Sequence, residues 1–169
     1  GDWRDNDPSC TAYNVDNGAT RALCAPTVLR PNSVPSGAKL GYSSHGLATG
    51  DISGDGLVDL VAGAPFDSTQ GPGGGAVYGF TSTQAKGLSA NYKKIFNSAG
   101  NKDDNFGYSV AVGNFDGDRQ SSIPLNDIAV GALNEDSLRY GGGALHVFLS
   151  GALAQPQPLP SVRSNSDLV

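Results

Sequence analysis

The sequence predicts an all-β protein made of β-propeller blades, each blade a four-stranded antiparallel sheet. Its 169 residues include 24 Gly and 10 Pro but no Met, a composition that favours short strands joined by tight turns. The chain repeats itself once, and each copy divides into four short apolar or alternating runs. Four-stranded units that recur at a fixed period are typical of propeller blades.

The internal repeat consists of three segments that recur in the same order. Residues 45–50, 57–63 and 73–80 align with residues 108–113, 125–131 and 141–148. The offset is 63 for the first pair and 68 for the other two. We therefore expect an insertion in the first turn of the second copy.

Each copy contains four runs, bounded by Gly, Pro, Asn and Asp, that predict antiparallel strands. In the first copy these are residues 47–51, 57–62, 75–81 and 92–96. In the second copy they are residues 108–113, 126–131, 143–149 and 159–163. A β-sandwich is the alternative fold, but it does not predict equivalent loops at a fixed period.

The repeats divide the chain into a first blade at residues 41–100 and a second blade at residues 101–163, followed by a tail at 164–169. Residues 1–40 match neither copy. Within them, residues 27–30 are expected to form one strand at the outer edge of a preceding blade.

The two cysteines, Cys10 and Cys24, lie in a segment rich in Gly, Asn and Pro that contains no C-x-x-C metal spacing. This setting favours a disulfide, which would stabilise the fold by about 3 kcal/mol through loop closure. Two separate buried thiols are the alternative. A disulfide would indicate a location outside the cytoplasm.

The net charge of −5 argues against a nucleic acid or an anionic membrane surface as partner, because both need clustered Lys and Arg. No apolar run reaches the roughly 18 residues that span a bilayer, so we expect no direct membrane insertion. A cation is the more natural partner of an acidic chain.

The turn between the first two strands of copy one, residues 51–59, reads D-I-S-G-D-G-L-V-D. Its oxygen donors occupy positions one, three, five and nine, and position seven would contribute a backbone carbonyl. Alternate side chains of a tight turn can converge on one point, while glycines allow the backbone bends. The predicted calcium ligands are Asp51, Ser53, Asp55, Leu57 and Asp59.

The equivalent loop of copy two, residues 114–127, is stretched by the inserted residues R-Q-S-S-I-P. Its predicted ligands to a second calcium ion are Asn114, Asp116, Asp118, Leu125 and Asp127. Oxygen donors in a flexible loop favour calcium over magnesium. Ordinary turn aspartates are the alternative, but two copies in register argue against it. An EF-hand is excluded because position twelve lacks its Glu and no helices flank the loops.

These motifs resemble the FG-GAP repeats of integrin α-subunit propellers. Residues 105–109, N-F-G-Y-S, are similar to the FG strand, and residues 59–65, D-L-V-A-G-A-P, are similar to the GAP segment, as are residues 127–132. The resemblance covers roughly residues 40–150. Copy one differs from the family pattern at its start, where L-G-Y and S-H-G within residues 40–46 replace the FG element.

The resemblance implies a propeller, normally of seven blades, that is extracellular, secreted or at the cell surface. It implies structural calcium in loops on the lower face and interaction surfaces on loops of the opposite face. Metal binding would then contribute to folding stability.

The sequence gives no support for catalysis by this chain. His146 aligns with Tyr78 inside a strand, which favours a packing role, and His45 lies near two serines without a nucleophile-elbow context. The Gly-rich residues 71–75 lack the Lys and Ser/Thr of a phosphate-binding loop. We therefore expect that this chain is not an enzyme.

Two blades cannot close a propeller, so we expect further copies or a partner chain to complete it. The expected function is a calcium-binding extracellular module for protein interaction, adhesion or assembly. One alternative is the non-catalytic propeller part of a secreted hydrolase similar to glycosylphosphatidylinositol-specific phospholipase D. Another is a structural component of a surface assembly or filament.

Overall fold

The computed structural model describes residues 11–14, 20–23, 28–84, 87–97, 100–120, 122–136 and 142–150. The chain falls into two units, Gly1–Arg30 and Pro31–Val169. Throughout the described ranges the regular structure consists of antiparallel strands, which confirms the all-β prediction. These ranges contain no helix of the length and apolar character needed to cross a membrane.

The first unit contains a hairpin of β1 (Thr11–Asn14) and β2 (Thr20–Leu23). Its register pairs Thr11 with Leu23, the residues that adjoin the two cysteines in the sequence. Cys10 and Cys24 themselves lie outside the described residues, and their disulfide stays a prediction.

The strand predicted at residues 27–30 is wrong over residues 28–30, which form no strand. Pro31 follows directly and has no N–H to donate to a ladder. The chain then turns at residues 32 and 33 instead of continuing in extended form. Thr27 lies outside the described residues.

The second unit begins with a four-stranded sheet of consecutive antiparallel strands. They are β3 (Leu47–Gly50), β4 (Asp59–Ala64), β5 (Ala76–Thr83) and β6 (Gly87–Ile95). This is the predicted blade, with β4 starting two residues later than expected because Leu57 and Val58 stay in the aspartate loop. We call it sheet 1.

A second sheet, sheet 2, repeats this topology over three described strands. The elements are β7 (Phe106–Gly113), β8 (Arg119–Gln120), β9 (Ile123–Pro124), β10 (Asp127–Ala132) and β11 (Ala144–Phe148). Strands β7, β10 and β11 form the sheet, and β8 and β9 form a small separate hairpin in the predicted insertion. The strand predicted at residues 159–163 lies outside the described residues.

The apolar core lies between the two sheets. Alternation along each strand turns Val61 and Val77 of sheet 1 toward sheet 2, and both side chains are fully buried. Sheet 2 contributes Phe106, Val130 and Phe148 to the same cluster. Burying apolar side chains of this kind is the main stabilising term of such a fold.

Glycine lets the backbones of the two sheets touch directly. A Cβ on Gly63 would lie 2.0 Å from the carbonyl oxygen of Gly107, and a Cβ on Gly75 would lie 2.0 Å from the carbonyl oxygen of Phe106. Gly75 and Phe106 also form a parallel bridge between the sheets. No side chain fits at either glycine without moving the backbone.

Candidate functional site

Both predicted metal loops join the first strand of a sheet to the second, so they occupy equivalent places in sheets 1 and 2. In the first loop, Asp59 begins β4 and is fully buried. Its Oδ2 accepts the backbone N–H groups of Ile52 and Ser53 at 3.0 Å each. Its Oδ1 accepts the N–H of Ser82 at 2.7 Å. Asp59 therefore ties the loop to the far end of β5.

The other carboxylates of the first loop are bonded to the loop's own backbone. Asp51 accepts the N–H groups of Gly54 and Gly56, each at 2.7 Å, through different oxygens. Asp55 is exposed and accepts the N–H of Leu57 at 2.9 Å. These bonds hold a tight turn, in which both glycines have positive φ.

The second loop gathers three acids. Ligand oxygens of Asp116, Asp118 and Asp127 all lie within 4.8 Å of one another, and this is the one such group among the residues that the structure describes. Asp127 is fully buried and accepts the N–H of Phe115 at 2.6 Å and of Ser150 at 2.9 Å. The acids predicted for the first loop do not come together in this way.

One oxygen in the second loop has no partner. Asp118 Oδ1 is buried without a hydrogen bond, and within the described ranges no other buried side-chain nitrogen or oxygen is in this state. Removal from solvent and the neighbouring carboxylates of Asp116 and Asp127 raise the pKa of Asp118 above its ordinary value. Clustered carboxylate oxygens with an unused lone pair are suited to a hard divalent cation.

The remaining predicted ligands of the second loop are engaged by the backbone. Asn114 Oδ1 accepts the N–H of Gly117 at 2.6 Å, and its Nδ2 donates to the carbonyl oxygen of Asp118 at 2.7 Å. The N–H of Leu125 donates to the same carbonyl at 3.3 Å. Asn114 and Leu125 thus close the turn on either side of the inserted hairpin.

Sequence reasoning missed two serines that complete the loops. Ser82 and Ser150 lie 68 positions apart, and each donates its backbone N–H to the buried aspartate of its loop. Their hydroxyls also bond equivalent carbonyls, those of Val58 at 2.5 Å and Asn126 at 2.8 Å. The sequence signal that could have identified them is a serine that recurs at the repeat offset of 68 residues.

A buried acid pairs with a ring residue at another pair of equivalent positions. In sheet 1, Tyr78 donates to Asp67 at 2.6 Å, and the Lys94 ammonium lies 2.9 Å from the same carboxylate. Burial alone would raise the pKa of Asp67, but hydrogen bonds from Thr69, Tyr78 and Lys94 outweigh it and hold that pKa below its ordinary value. Burial and the Asp67 carboxylate raise the pKa of Tyr78.

In sheet 2 the equivalent pair is His146 and Glu135, whose Nε2 and Oε2 atoms lie 2.6 Å apart. The His146 ring also packs edge-on against Phe106, with centroids 5.3 Å apart. This is the packing role that the alignment with Tyr78 predicts. The other histidine, His45, is exposed, with Nδ1 3.0 Å from Ser44 Oγ.

Known proteins match this chain in sequence. The FG-GAP repeat family matches residues 45–80, which run from two residues before β3 through the first aspartate loop into β5. Integrin alpha ina-1 of Caenorhabditis elegans is 34% identical over 127 residues, a match that covers 70% of this chain. The chain carries an integrin-α-type FG-GAP repeat.

The FG-GAP motif explains the close contact between the sheets. The GAP segment supplies Gly63 in β4, and the FG element of the second repeat supplies Gly107 in β7. These two glycines meet where the backbones touch. The chain spans 10% of the length of integrin alpha ina-1, so the match concerns the repeats and not that whole protein.

Proposed function

We propose that this chain is a calcium-binding extracellular β-propeller module that mediates protein interaction, adhesion or assembly. The proposal assigns one calcium ion to each FG-GAP repeat. Its main support is the unpartnered Asp118 oxygen among three carboxylates, in the loop that the repeat places at the end of β7. A bound cation would satisfy that oxygen and offset the repulsion of the three acids.

The two loops should bind calcium with different affinity. In the second loop, Asp116, Asp118 and Asp127 already lie close enough to share one ion. In the first loop, the carboxylates of Asp51 and Asp55 bond the N–H groups of the loop itself, and the acids do not come together. We therefore assign the tighter site to the second repeat.

The interaction role is supported by the similarity to an integrin α-subunit and by the FG-GAP repeat. The proposed location is extracellular, secreted or at the cell surface. The proposed partner is a protein, either another chain or further propeller blades. Neither histidine is assigned a catalytic role, since His146 is paired with Glu135 and packed on Phe106.

Calcium titration of the full chain tests the metal assignment. Calcium should raise the melting temperature, and a chelator should reverse the rise; saturation at 100 times Kd stabilises by about 2.7 kcal/mol. Asp118→Ala should remove most of this shift, and Asp55→Ala should remove the smaller part due to the first loop. Asp103→Asn is the matched control, because Asp103 is exposed and lies outside both loops.

If the chelator leaves the melting temperature of the unmodified chain unchanged, both loops are ordinary turns. The adhesion assignment has a separate test, the attachment of cells to surfaces coated with the chain in calcium or in chelator. Attachment that is no greater than on uncoated surfaces in either condition would contradict adhesion while leaving the metal sites intact.

A further inference from the structure

The two aspartate loops, which belong to neighbouring repeats, contact each other. The backbone N–H of Asn126 in the second loop donates to the carbonyl oxygen of Asp51 in the first loop at 3.2 Å. Asp51 directly follows β3, and Asn126 directly precedes β10. The bond therefore joins sheet 1 to sheet 2 at the place where the predicted metal ligands lie.

Two further contacts surround this hydrogen bond. A Cβ on Gly50 would lie 3.0 Å from Asn126 Nδ2, and a Cβ on Gly56 would lie 3.7 Å from Ile123 Cδ1. Ile123 belongs to β9 of the inserted hairpin, and its side chain is partly buried. The insertion that lengthens the second loop therefore reaches the first loop.

One peptide group belongs to both contacts. Its carbonyl, on Leu125, is the oxygen that the sequence predicts as a ligand to the second calcium ion, and its N–H, on Asn126, donates to Asp51. A peptide group is planar, and in the trans form found here its C=O and N–H bonds point in opposite directions. A cation that binds the Leu125 carbonyl therefore fixes the direction of the N–H that holds Asp51.

Such a cation would also strengthen the hydrogen bond to Asp51. A cation on the carbonyl oxygen polarises the whole peptide group, and the N–H becomes a stronger donor, as in chains of hydrogen bonds. The backbone of Asp51 would then be held in place before its carboxylate meets an ion, so the first loop would lose less conformational entropy on binding. Repulsion between the two cations opposes this effect, but salt screens it.

We propose that the two loops bind calcium with positive cooperativity, transmitted by the Leu125–Asn126 peptide group and by Ile123 of the inserted hairpin. The proposal rests on the calcium assignment above and adds a linkage between the two sites. Because linkage is reciprocal, an ion in either loop raises the affinity of the other loop by the same factor. We expect a factor of about five or more, the lower end of typical couplings between sites.

Calorimetric titration of the full chain with calcium measures this factor. Asp118→Ala leaves only the first loop able to bind, and Asp55→Ala leaves only the second. The coupling factor is the product of the two association constants of the unmodified chain, divided by the product of the two single-site constants. Circular dichroism checks that each variant is folded, and Asp116→Asn, at an exposed position, replaces Asp118→Ala if that variant unfolds.

Ile123→Ala isolates the contact between the loops. In this background the coupling factor should fall by about threefold or more, while each single-site constant changes by less than about twofold, because Ile123 provides no ligand. The same acids are removed in both sets of titrations, so the ratio of the two coupling factors excludes the electrostatic effect of removing them. Ser122→Ala is the matched control: Ser122 is exposed beside Ile123, and its substitution should keep the full factor.

The peptide group has a readout of its own. In Asp55→Ala, where only the second loop binds, calcium should shift the amide resonance of Asn126 and slow the exchange of its hydrogen with solvent. This effect arises at the shared peptide group and needs no ion in the first loop.

Three results would overturn the proposal. They are a coupling factor of about one or less, a factor that Ile123→Ala lowers no more than Ser122→Ala does, and an Asn126 amide that saturating calcium leaves unchanged. Two bound ions with independent affinities would leave the calcium assignment intact and contradict the coupling alone. Absence of binding heat together with a melting temperature that chelator leaves unchanged would contradict the calcium assignment, and the coupling with it.

Discussion

Replacing Asp59 by alanine should destabilise the fold whether or not calcium is present. The fully buried carboxylate accepts three backbone N–H groups, from Ile52, Ser53 and Ser82. Each donor that loses its partner costs roughly 1–3 kcal/mol, and two of the three lie in a loop that water can partly reach. We therefore expect a loss of about 3–5 kcal/mol, which lowers the unfolding midpoint by on the order of 10 °C.

The assay is urea unfolding of Asp59→Ala, followed by circular dichroism in saturating calcium and again in chelator. Asp55→Ala is the comparison variant, because the exposed Asp55 accepts a single loop N–H and should lose stability only when calcium is present. If Asp59→Ala matches the unmodified chain in chelator, the three N–H bonds contribute nothing and Asp59 acts solely through metal.

Four further substitutions test other contacts. Gly63→Ala should cost about 3 kcal/mol in urea unfolding, because its Cβ would collide with the Gly107 carbonyl oxygen; an unchanged midpoint would contradict the close contact. Tyr78→Phe should cost about 1–3 kcal/mol, since it leaves the buried Asp67 carboxylate short of one donor. Because the pKa of Asp67 is lowered in the fold, its stabilising contribution is present above the unfolded value of about 3.9 and is lost as pH falls through the folded value. Asp67→Asn should therefore flatten the acid side of the stability curve. The pH dependence that Asp104 contributes to stability has the opposite sign. Burial and the nearby carboxylates raise the pKa of Asp104, so the free energy of unfolding should rise as pH falls through the folded pKa. Asp104→Asn should remove that rise.

The fold was largely predictable because the repeat carries independent signals at each of its elements. Alternating residues bounded by Gly and Asp located β3, β5, β7 and β11, and the change of offset from 63 to 68 located the hairpin of β8 and β9. The hairpin of β1 and β2 was missed because its two strands have no counterpart elsewhere in the chain. The strand predicted at residues 27–30 is wrong over residues 28–30, because a short apolar run ahead of a proline resembles a strand in sequence.

The sequence predicts which residues belong to the candidate site better than it predicts how they are arranged. Spacing identified every acid of both loops, yet the two loops use them differently. Sequence alone does not show that the carboxylate oxygens of Asp59 and Asp127 accept backbone N–H groups. The donors, Ser82 and Ser150, are each 23 residues away in the chain. The first loop has the more regular spacing of acids in the sequence, but the acids come together in the second.

The small hairpin of β8 and β9 is a suitable site for attaching a label to this protein. The carbonyl oxygen of Asp118 bonds both Asn114 Nδ2 and the Leu125 N–H, which fastens the base of the hairpin independently of its length. Since doubling the length of a closed loop costs only about 0.6 kcal/mol, the tip can accept a peptide tag or a fluorophore. Such a label would lie a few residues from Asp118 in the sequence, and its fluorescence would test whether the acidic cluster binds a cation.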